Sequence, residues 1–306
     1  MKAVFIDRFG GPEVLTYGDQ PDPVAGSGQV VVDVTAASVN GADWRVRAGQ
    51  YADAKFPLIL GRDFSGTVSA AAADVHDLKL GDAVFGVLEA GREGAYAEKV
   101  SITAAIIAKK PDTLPHVQAA AMALTGLTAI ISIETTLKLQ RGETILIQGG
   151  AGGVASFAIQ LAKHIGARVI TTTSAANLDY VRGLGADQVI DYNAQDFTRV
   201  VGGCDAVFDT VGGEVALKSF AALRPGGRAA FIASGPQAPK PERSDVISLR
   251  PAVGRSRPPL DRIGQLVAAG AVLPPEIKLF PLSQAAEAHR ISEARHFRGK
   301  LVLQVR

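Results

Sequence analysis

The stretch from 143 to 165 restricts this chain more than any other. Glu143–Gln148 reads ETILIQ, a short apolar run of the kind that forms a buried strand, and Gly149-Gly150-Ala151-Gly152-Gly153 follows it directly. Val154–Ile165 then carries apolar residues at helical spacing: Val154, Phe157, Ala158, Leu161, Ala162 and Ile165. Gly166 stands where a helix C-cap would. Within this strand–loop–helix unit, Gly150-x-Gly152-x-x-Ala155 fits the G-x-G-x-x-G/A pattern of dinucleotide-binding loops. Glycine is needed because the backbone must turn tightly and approach a pyrophosphate closely. The helix start beyond it offers unpaired N–H groups and a partial positive charge to phosphates. A small third residue lets helix and strand pack together. Gly150, Gly152, Gly153 and Val154 are therefore candidate cofactor-binding residues. A P-loop is excluded, because no Gly-Lys-Ser/Thr follows the glycines.

A glycine pattern alone is weak, and its surroundings give it weight. Arg168–Thr173 predicts the next strand and Asn177–Leu184 the next helix, stopped by Gly185. Gln188–Asp191, Ala206–Thr210 and Arg228–Ala233 continue the alternation. Repeated βα units imply a parallel sheet with helices on both faces, a doubly wound Rossmann sheet. Residues 1 to about 115 read differently. Met1–Ile6, Gln29–Val34, Phe64–Ala70 and Ala83–Leu88 look like strands without amphipathic helices between them, which suggests a small, mostly β unit. Near the C-terminus, Leu260–Ala269 and Ser283–Glu293 predict helices, with Ser283 at a helix start, and Lys300–Val305 a last strand. Gly235–Pro259, rich in proline and arginine, reads as loop plus one further sheet strand.

The end of the second strand bears on which nucleotide is bound. An NAD site places Asp or Glu there, about 20 residues beyond the glycines, to hold the ribose 2′-hydroxyl. This chain has Thr171-Thr172-Thr173-Ser174-Ala175-Ala176-Asn177, without a carboxylate, and Asp179 falls later on the predicted helix surface. Nothing in that stretch repels a 2′-phosphate, and its hydroxyls can bind one. NADPH is favoured over NADH.

Charge and composition exclude other classes. With 32 basic and 30 acidic residues the net charge is +2, so no global field draws nucleic acid or membrane. No basic block resembles a phosphate-binding stripe. The single cysteine, Cys204, reads as a buried structural thiol. Asp7 and Arg8 interrupt the apolar N-terminus, and neither a targeting signal nor an 18-residue apolar stretch is expected to follow. A cytoplasmic location is expected.

Further motifs carry a family resemblance across nearly the whole chain. They are Ala37-Ser38-Val39-Asn40 with Asp43, Pro57 with Gly61-Arg62-Asp63-Phe64-Ser65-Gly66, and Gly94-Ala95-Tyr96-Ala97-Glu98. Leu124-Thr125-Gly126-Leu127-Thr128-Ala129, the run Gly149–Lys163, Leu184-Gly185-Ala186-Asp187 and Asp209-Thr210-Val211-Gly212-Gly213 follow. Phe280-Pro281-Leu282, Ala285–His289 and Arg298-Gly299-Lys300 complete the set. Together they resemble the zinc-independent quinone oxidoreductases, the zeta-crystallin-like family of the medium-chain dehydrogenase/reductase superfamily. The resemblance implies a Rossmann domain at 117–257 inserted in a GroES-like, β-rich catalytic domain made of 1–116 and 258–306. It also implies an active site in the cleft between them, and a homodimer.

Zinc-dependent relatives in that superfamily carry cysteine where this chain has Asn40, and Gly-His-Glu where it has Gly61-Arg62-Asp63. The four-cysteine structural loop is absent, and His76, His116, His164, His289 and His296 are not spaced as a ligand set. No metal is expected. Without a Lewis acid an alcohol is hard to oxidise, whereas a quinone or an α,β-unsaturated ketone accepts hydride directly. Reduction of such an acceptor by NADPH is the expected activity. An enoyl-thioester reductase and a non-catalytic NADPH-binding sensor are the alternatives.

The resemblance assigns residues as well. Asn40 would orient substrate or cofactor, and Tyr51 would be an oxyanion donor or proton source, against a plain packing role. Thr128 would contact the cofactor, Ser174 and Tyr192 would meet the 2′-phosphate, Ala233 and Ser234 would flank the nicotinamide, and Lys300 would approach the pyrophosphate. Tyr51 and Lys55 also match the Tyr-x-x-x-Lys of short-chain dehydrogenases. In those enzymes the pair follows the glycine loop; here it precedes it, so the match is coincidental.

Overall fold

A computed structural model describes residues 1–50 and 55–306. The chain forms two compact units. The first comprises Met1–Leu124, Gly254–Ala268 and Pro274–Arg306; the second comprises Thr125–Val253 and Ala269–Leu273. The first break, after Leu124, falls inside helix His116–Ile130.

In the second unit six parallel strands form one sheet. Their spatial order is Gln188–Asp191, Arg168–Thr173, Thr144–Gln148, Cys204–Asp209, Leu223–Phe231 and Ile247–Leu249. The chain starts at the third of these, winds outward one way, then returns to its other side and winds the opposite way. That reversal, beside Thr144–Gln148, is the switch point at which doubly wound sheets bind nucleotides. Helix Gly153–Ile165 follows the loop, buries Ala155, Phe157, Ala158, Ile159, Leu161 and Ala162, and ends on Gly166 at φ 93°. Leu146, Ile170, Ile190, Val207, Ala229 and Phe231 pack into the core of this unit.

The first unit is built around one long strand, Gln29–Val39. It pairs antiparallel with Lys300–Gln304, with Asp63–Ala71 and with Lys99–Thr103. Such pairing closes widely separated parts of the chain into one sheet, with Ile277–Pro281 beyond Lys300–Gln304, and Ala83–Val87 and Ile107–Lys109 beyond Asp63–Ala71. Register decides what meets. Leu301 lies opposite Val39, and Asp63 lies opposite Ser38. The end of the long strand is therefore flanked by Lys300 on one side and Asp63 on the other.

Three differences from the sequence reading have local causes. The strand runs past Val34 to Val39, because neighbours on both sides pair Ala36, Ala37 and Ser38, whose small side chains give little hydropathic signal. Gly41–Arg47 is a helix, started by Asn40 in extended conformation with its N–H donated to Asp43 Oδ2. At the C-terminus a 3₁₀ turn takes Leu282–Gln284, so the helix begins at Ala285 rather than Ser283. One apolar helical stretch, His116–Thr136, is long enough to cross a bilayer, contrary to the sequence expectation; 72% of its most apolar window is buried inside the protein. Core burial accounts for that apolarity without a membrane.

Candidate functional site

Two constellations stand out, one in each unit. In the first, Asn40 is the centre. Its Nδ2 donates to Asp63 Oδ1 at 2.8 Å and to the Ser38 carbonyl at 3.3 Å. Its Oδ1 accepts from Lys300 Nζ at 2.8 Å, and the same ammonium donates to the Val39 carbonyl at 2.8 Å. Asp63 also accepts from Ser38 Oγ and from the Leu124 N–H. Asp63 is 0% exposed and Lys300 4%, so two opposite charges are held inside the protein around one amide. Burial pushes the Asp63 carboxyl up and the Lys300 ammonium down, and each charge opposes the shift of the other.

A second layer lies behind Asn40. Asp43, fully buried, accepts from the Asn40 N–H at 2.9 Å and from Tyr96 Oη at 2.7 Å. His289 Nε2 reaches Tyr96 Oη at 3.3 Å, and Arg47 donates to His289 Nδ1 at 3.2 Å and to Glu293 at 2.7 Å. Because arginine is always a donor, His289 Nδ1 must accept, which places its proton on Nε2 toward tyrosine. Burial, reinforced by Arg47, pushes the His289 imidazole down to about 3, so it stays neutral. The chain of donors runs from Arg47 to His289 to Tyr96 to Asp43. Arginine does not release protons, so this chain orients groups and does not conduct protons inward from Glu293.

Asp43 Oδ1 lies 3.9 Å from Arg62 Nε, which also donates to Glu93 Oε1 at 2.5 Å. Burial raises the Asp43 carboxyl to about 6 against the pull of Arg62, with Asp63 adding to the rise. Burial, then Asp43, raises Glu93 to about 7, also against Arg62. Two buried carboxylates thus share one guanidinium. Among the described residues no group of three or more His, Cys, Asp or Glu is placed to hold a metal ion.

The second constellation is the glycine loop. Gly149 adopts φ 77°, and a side chain at Gly150 would run into Thr171 Oγ1 and meet Val181 Cγ1 at 3.2 Å. Gly150 N–H bonds the Thr172 carbonyl at 2.8 Å and Gly152 N–H the Gly149 carbonyl at 3.0 Å, which locks the turn. Helix Gly153–Ile165 starts directly after it, so the N–H groups of Gly153, Val154 and Ala155 have no acceptor within the helix. That is a cradle for an anion. Nearby, Asp209 accepts from the N–H groups of Val211 and Gly212, and Gly212, at φ 83°, packs against the carbonyl of Ala233. The next residue, Ser234, has a buried Oγ without a hydrogen-bond partner. An orphaned hydroxyl of this kind fits a partner supplied by a ligand. The loop, the helix start and Ser234 together suit a dinucleotide.

The remaining expected residues fall as follows. Ser174 accepts from Asn177 Nδ2 at 3.2 Å at the end of its strand, and Tyr192, half exposed, donates its N–H to the Thr173 carbonyl. Both therefore border the end of Arg168–Thr173. Thr128 is buried on helix His116–Ile130. Asn40 and Lys300 are brought into contact. Tyr51 lies outside the described residues. Sequence reasoning did not single out Asp63, Asp43, Tyr96 or His289 for this network; their motifs were visible, but their burial comes from register and packing.

Comparison with known proteins bears on the family and the fold. Residues 26–112 match the family model described as alcohol dehydrogenase GroES-like domain, and residues 184–303 match the one described as zinc-binding dehydrogenase. The mitochondrial NAD(P)H oxidoreductase RTN4IP1 of Danio rerio is 30% identical, covering 100% of this chain and 91% of the relative. The chloroplastic NADPH-dependent alkenal/one oxidoreductase of Arabidopsis thaliana is 31% identical over 99% of this chain and 79% of the relative. A quinone oxidoreductase of Pseudomonas aeruginosa is 31% identical over 99% of both chains. Among solved structures, the quinone oxidoreductase from Coxiella burnetii superposes with a TM-score of 0.93 at 35% identity, covering 100% of this chain and 99% of that one. The Escherichia coli quinone oxidoreductase complexed with NADPH gives 0.91 at 26% identity, with full coverage of both. The chain belongs to the quinone oxidoreductase, or zeta-crystallin-like, family of the medium-chain dehydrogenase/reductase superfamily.

Proposed function

We propose that this protein reduces a quinone or an α,β-unsaturated ketone with NADPH and without a metal. The observation that carries the reading is the strand end beside the glycine loop. There Ser174 offers a hydroxyl and Tyr192 lies alongside, with no carboxylate in Thr171–Asn177 to oppose a 2′-phosphate. Relatives named as quinone oxidoreductase and as NADPH-dependent alkenal/one oxidoreductase support the acceptor class. The glycine loop and the N–H groups of Gly153 and Val154 hold the pyrophosphate. Ser174 and Tyr192 hold the 2′-phosphate, and Thr128, Ala233 and Ser234 border the nicotinamide.

Bound NADPH supplies the hydride. The protein's share is to position the acceptor and to oppose charge on the oxygen that becomes an enolate or hydroquinone anion. Asn40 orients the reactants, and Tyr51 is the candidate oxyanion donor. Arg62 holds positive charge beside Asp43, at the position where zinc-dependent relatives carry a ligand. The reading includes a homodimer and a cytoplasmic location, both drawn from the resemblance and the sequence.

The test is NADPH and NADH oxidation at 340 nm with menadione, but-3-en-2-one and crotonyl-coenzyme A, before and after exhaustive chelation. Turnover of the quinone or enone, with NADPH preferred and chelation without effect, is expected. Turnover of the thioester alone would replace the acceptor class. Tight NADPH binding with no turnover would make the protein a sensor, and loss of activity on chelation would refute the metal-free mechanism.

A further inference from the structure

Gly149 and Gly150 both give their N–H groups to one residue of the neighbouring strand. Thr172 accepts the Gly149 N–H on its hydroxyl oxygen at 3.2 Å and the Gly150 N–H on its carbonyl at 2.8 Å. Register explains the meeting. Ile147 pairs with Thr171 in adjacent parallel strands, so Gln148 and Thr172, which follow them, lie side by side. The Thr172 hydroxyl donates to Gln148 Oε1 at 2.6 Å, and Gln148 Nε2 donates to Ser219 Oγ at 3.0 Å. Ser219 in turn donates to the Val215 carbonyl at 2.7 Å, within helix Gly213–Ser219. Gln148, Thr172 and Ser219 are all buried.

A hydroxyl has one proton, so this relay has one direction. The Ser219 proton is spent on Val215, which leaves its oxygen to accept from Gln148. The amide therefore turns its NH₂ to Ser219 and its carbonyl to Thr172. The Thr172 proton goes to that carbonyl, and its oxygen is left to accept from Gly149. A reversed amide would set an NH₂ group against the Thr172 proton and leave the Ser219 oxygen without its donor, in a site closed to water. Gly149 needs such a hold. Its φ of 77° suits glycine, which is also the residue with the most conformations to lose. A loop not held in advance would have to be ordered by its ligand, at the expense of affinity. We infer that Thr172 and Gln148 are positioning residues that fix the glycine loop in its phosphate-binding shape before the cofactor arrives. The inference rests on the NADPH reading and deepens it, by naming buried side chains that set affinity for the pyrophosphate. The Thr172 hydroxyl is thereby committed to the loop and not to a 2′-phosphate.

Two ligands isolate the effect: 2′-phospho-ADP-ribose, which carries the pyrophosphate, and adenosine 2′-monophosphate, which lacks it. Calorimetry would measure both with wild type, Thr172→Val, Thr172→Ser, Gln148→Leu and the double variant of Thr172→Val with Gln148→Leu. Thr172→Val and Gln148→Leu are each expected to weaken 2′-phospho-ADP-ribose about tenfold, the value of one hydrogen bond, and the monophosphate by less than about twofold. Thr172→Ser keeps the hydroxyl and should stay within about twofold of wild type for both ligands. The double variant should lose little more than either single one, because both changes break the same relay. Equal weakening of the two ligands would mean a general loosening of the fold and would overturn the inference. Unchanged affinity of Thr172→Val for 2′-phospho-ADP-ribose, or full additivity in the double variant, would overturn it too. Should Thr172→Val fail to fold, Thr172→Ala takes its place in the same cycle, with the same criteria. A wild type that binds neither ligand would instead refute the NADPH reading itself.

Discussion

Gly61 packs against the ring of Tyr96 with no room for a side chain between them: a methyl group on Gly61 would sit 2.5 Å from Tyr96 Cε1 and 2.9 Å from Cγ. Gly61 also adopts φ 90°, where only glycine is comfortable. The approach is what lets a fully buried tyrosine deliver its hydroxyl to Asp43. Gly61→Ala therefore combines strain with overpacking and is expected to lower stability by about 3 kcal/mol or more. Gly81, at φ 87° with open space around it, isolates the backbone part. Gly81→Ala should cost only about 1–2 kcal/mol. Urea unfolding of both variants checks the difference; equal losses would mean that the Tyr96 contact contributes nothing.

His289 leads to a pH prediction. Its imidazole is held neutral down to about 3, first by burial and then by Arg47, whereas an unfolded histidine titrates near 6.5. The unfolded chain thus binds a proton that the folded protein refuses. Stability from this group is complete above about 6.5 and is lost as pH falls toward 3, at up to about 1.4 kcal/mol per pH unit. His289→Gln removes that term. The destabilisation it causes at pH 7.5 should shrink steadily between pH 6.5 and 4.5. Paired unfolding curves measure it, and a difference independent of pH would show that His289 titrates normally in the fold.

Ser234 separates folding from binding. Its buried Oγ has no partner in the protein, so Ser234→Ala removes nothing that the fold uses. Stability is expected to stay within about 0.5 kcal/mol of wild type. If the hydroxyl serves bound NADPH, affinity should fall about tenfold, the value of one hydrogen bond of roughly 1.4 kcal/mol. Unchanged affinity would remove Ser234 from the cofactor site.

Much of this architecture is legible in the sequence, for reasons that differ by residue. Arg168–Thr173 and Gln188–Asp191 fall where their β-branched runs end against turn residues, and the glycine loop is legible because only glycine tolerates its backbone. The helix Gly41–Arg47 lacks a clear apolar stripe, and depends on Asn40 and Asp43 at its start. Ile277–Pro281 is an edge strand with mostly exposed side chains, so burial never shaped its pattern. The Asn40 network is hardest of all. Asp63, Lys300 and His289 are separated by hundreds of positions from one another or from their partners, and a charged residue in a sequence reads as surface until pairing register buries it.

Cofactor choice offers the sharpest single test of the strand end after Thr173. Thr173 is level with Asp191 in the sheet, so a carboxylate does exist one strand away. Asp191 Oδ1, however, accepts the Asn193 N–H at 3.0 Å, which ties it to the turn beyond its own strand. On the proposed NADPH reading the position that decides is Ser174, which ends strand Arg168–Thr173 with an uncharged hydroxyl. Ser174→Asp would set a carboxylate where a 2′-phosphate must lie, and the same carboxylate would accept hydrogen bonds from a free ribose hydroxyl. Losing a hydrogen bond to a charged group costs about 1.5–3 kcal/mol, so kcat/KM with NADPH should fall by about tenfold to 150-fold. The value with NADH should hold or rise, bringing the ratio of the two near or below one. Steady-state rates with menadione and each coenzyme measure that ratio. If it stays at the wild-type value, the 2′-phosphate does not bind beside Ser174, and the preference for NADPH has to come from other residues.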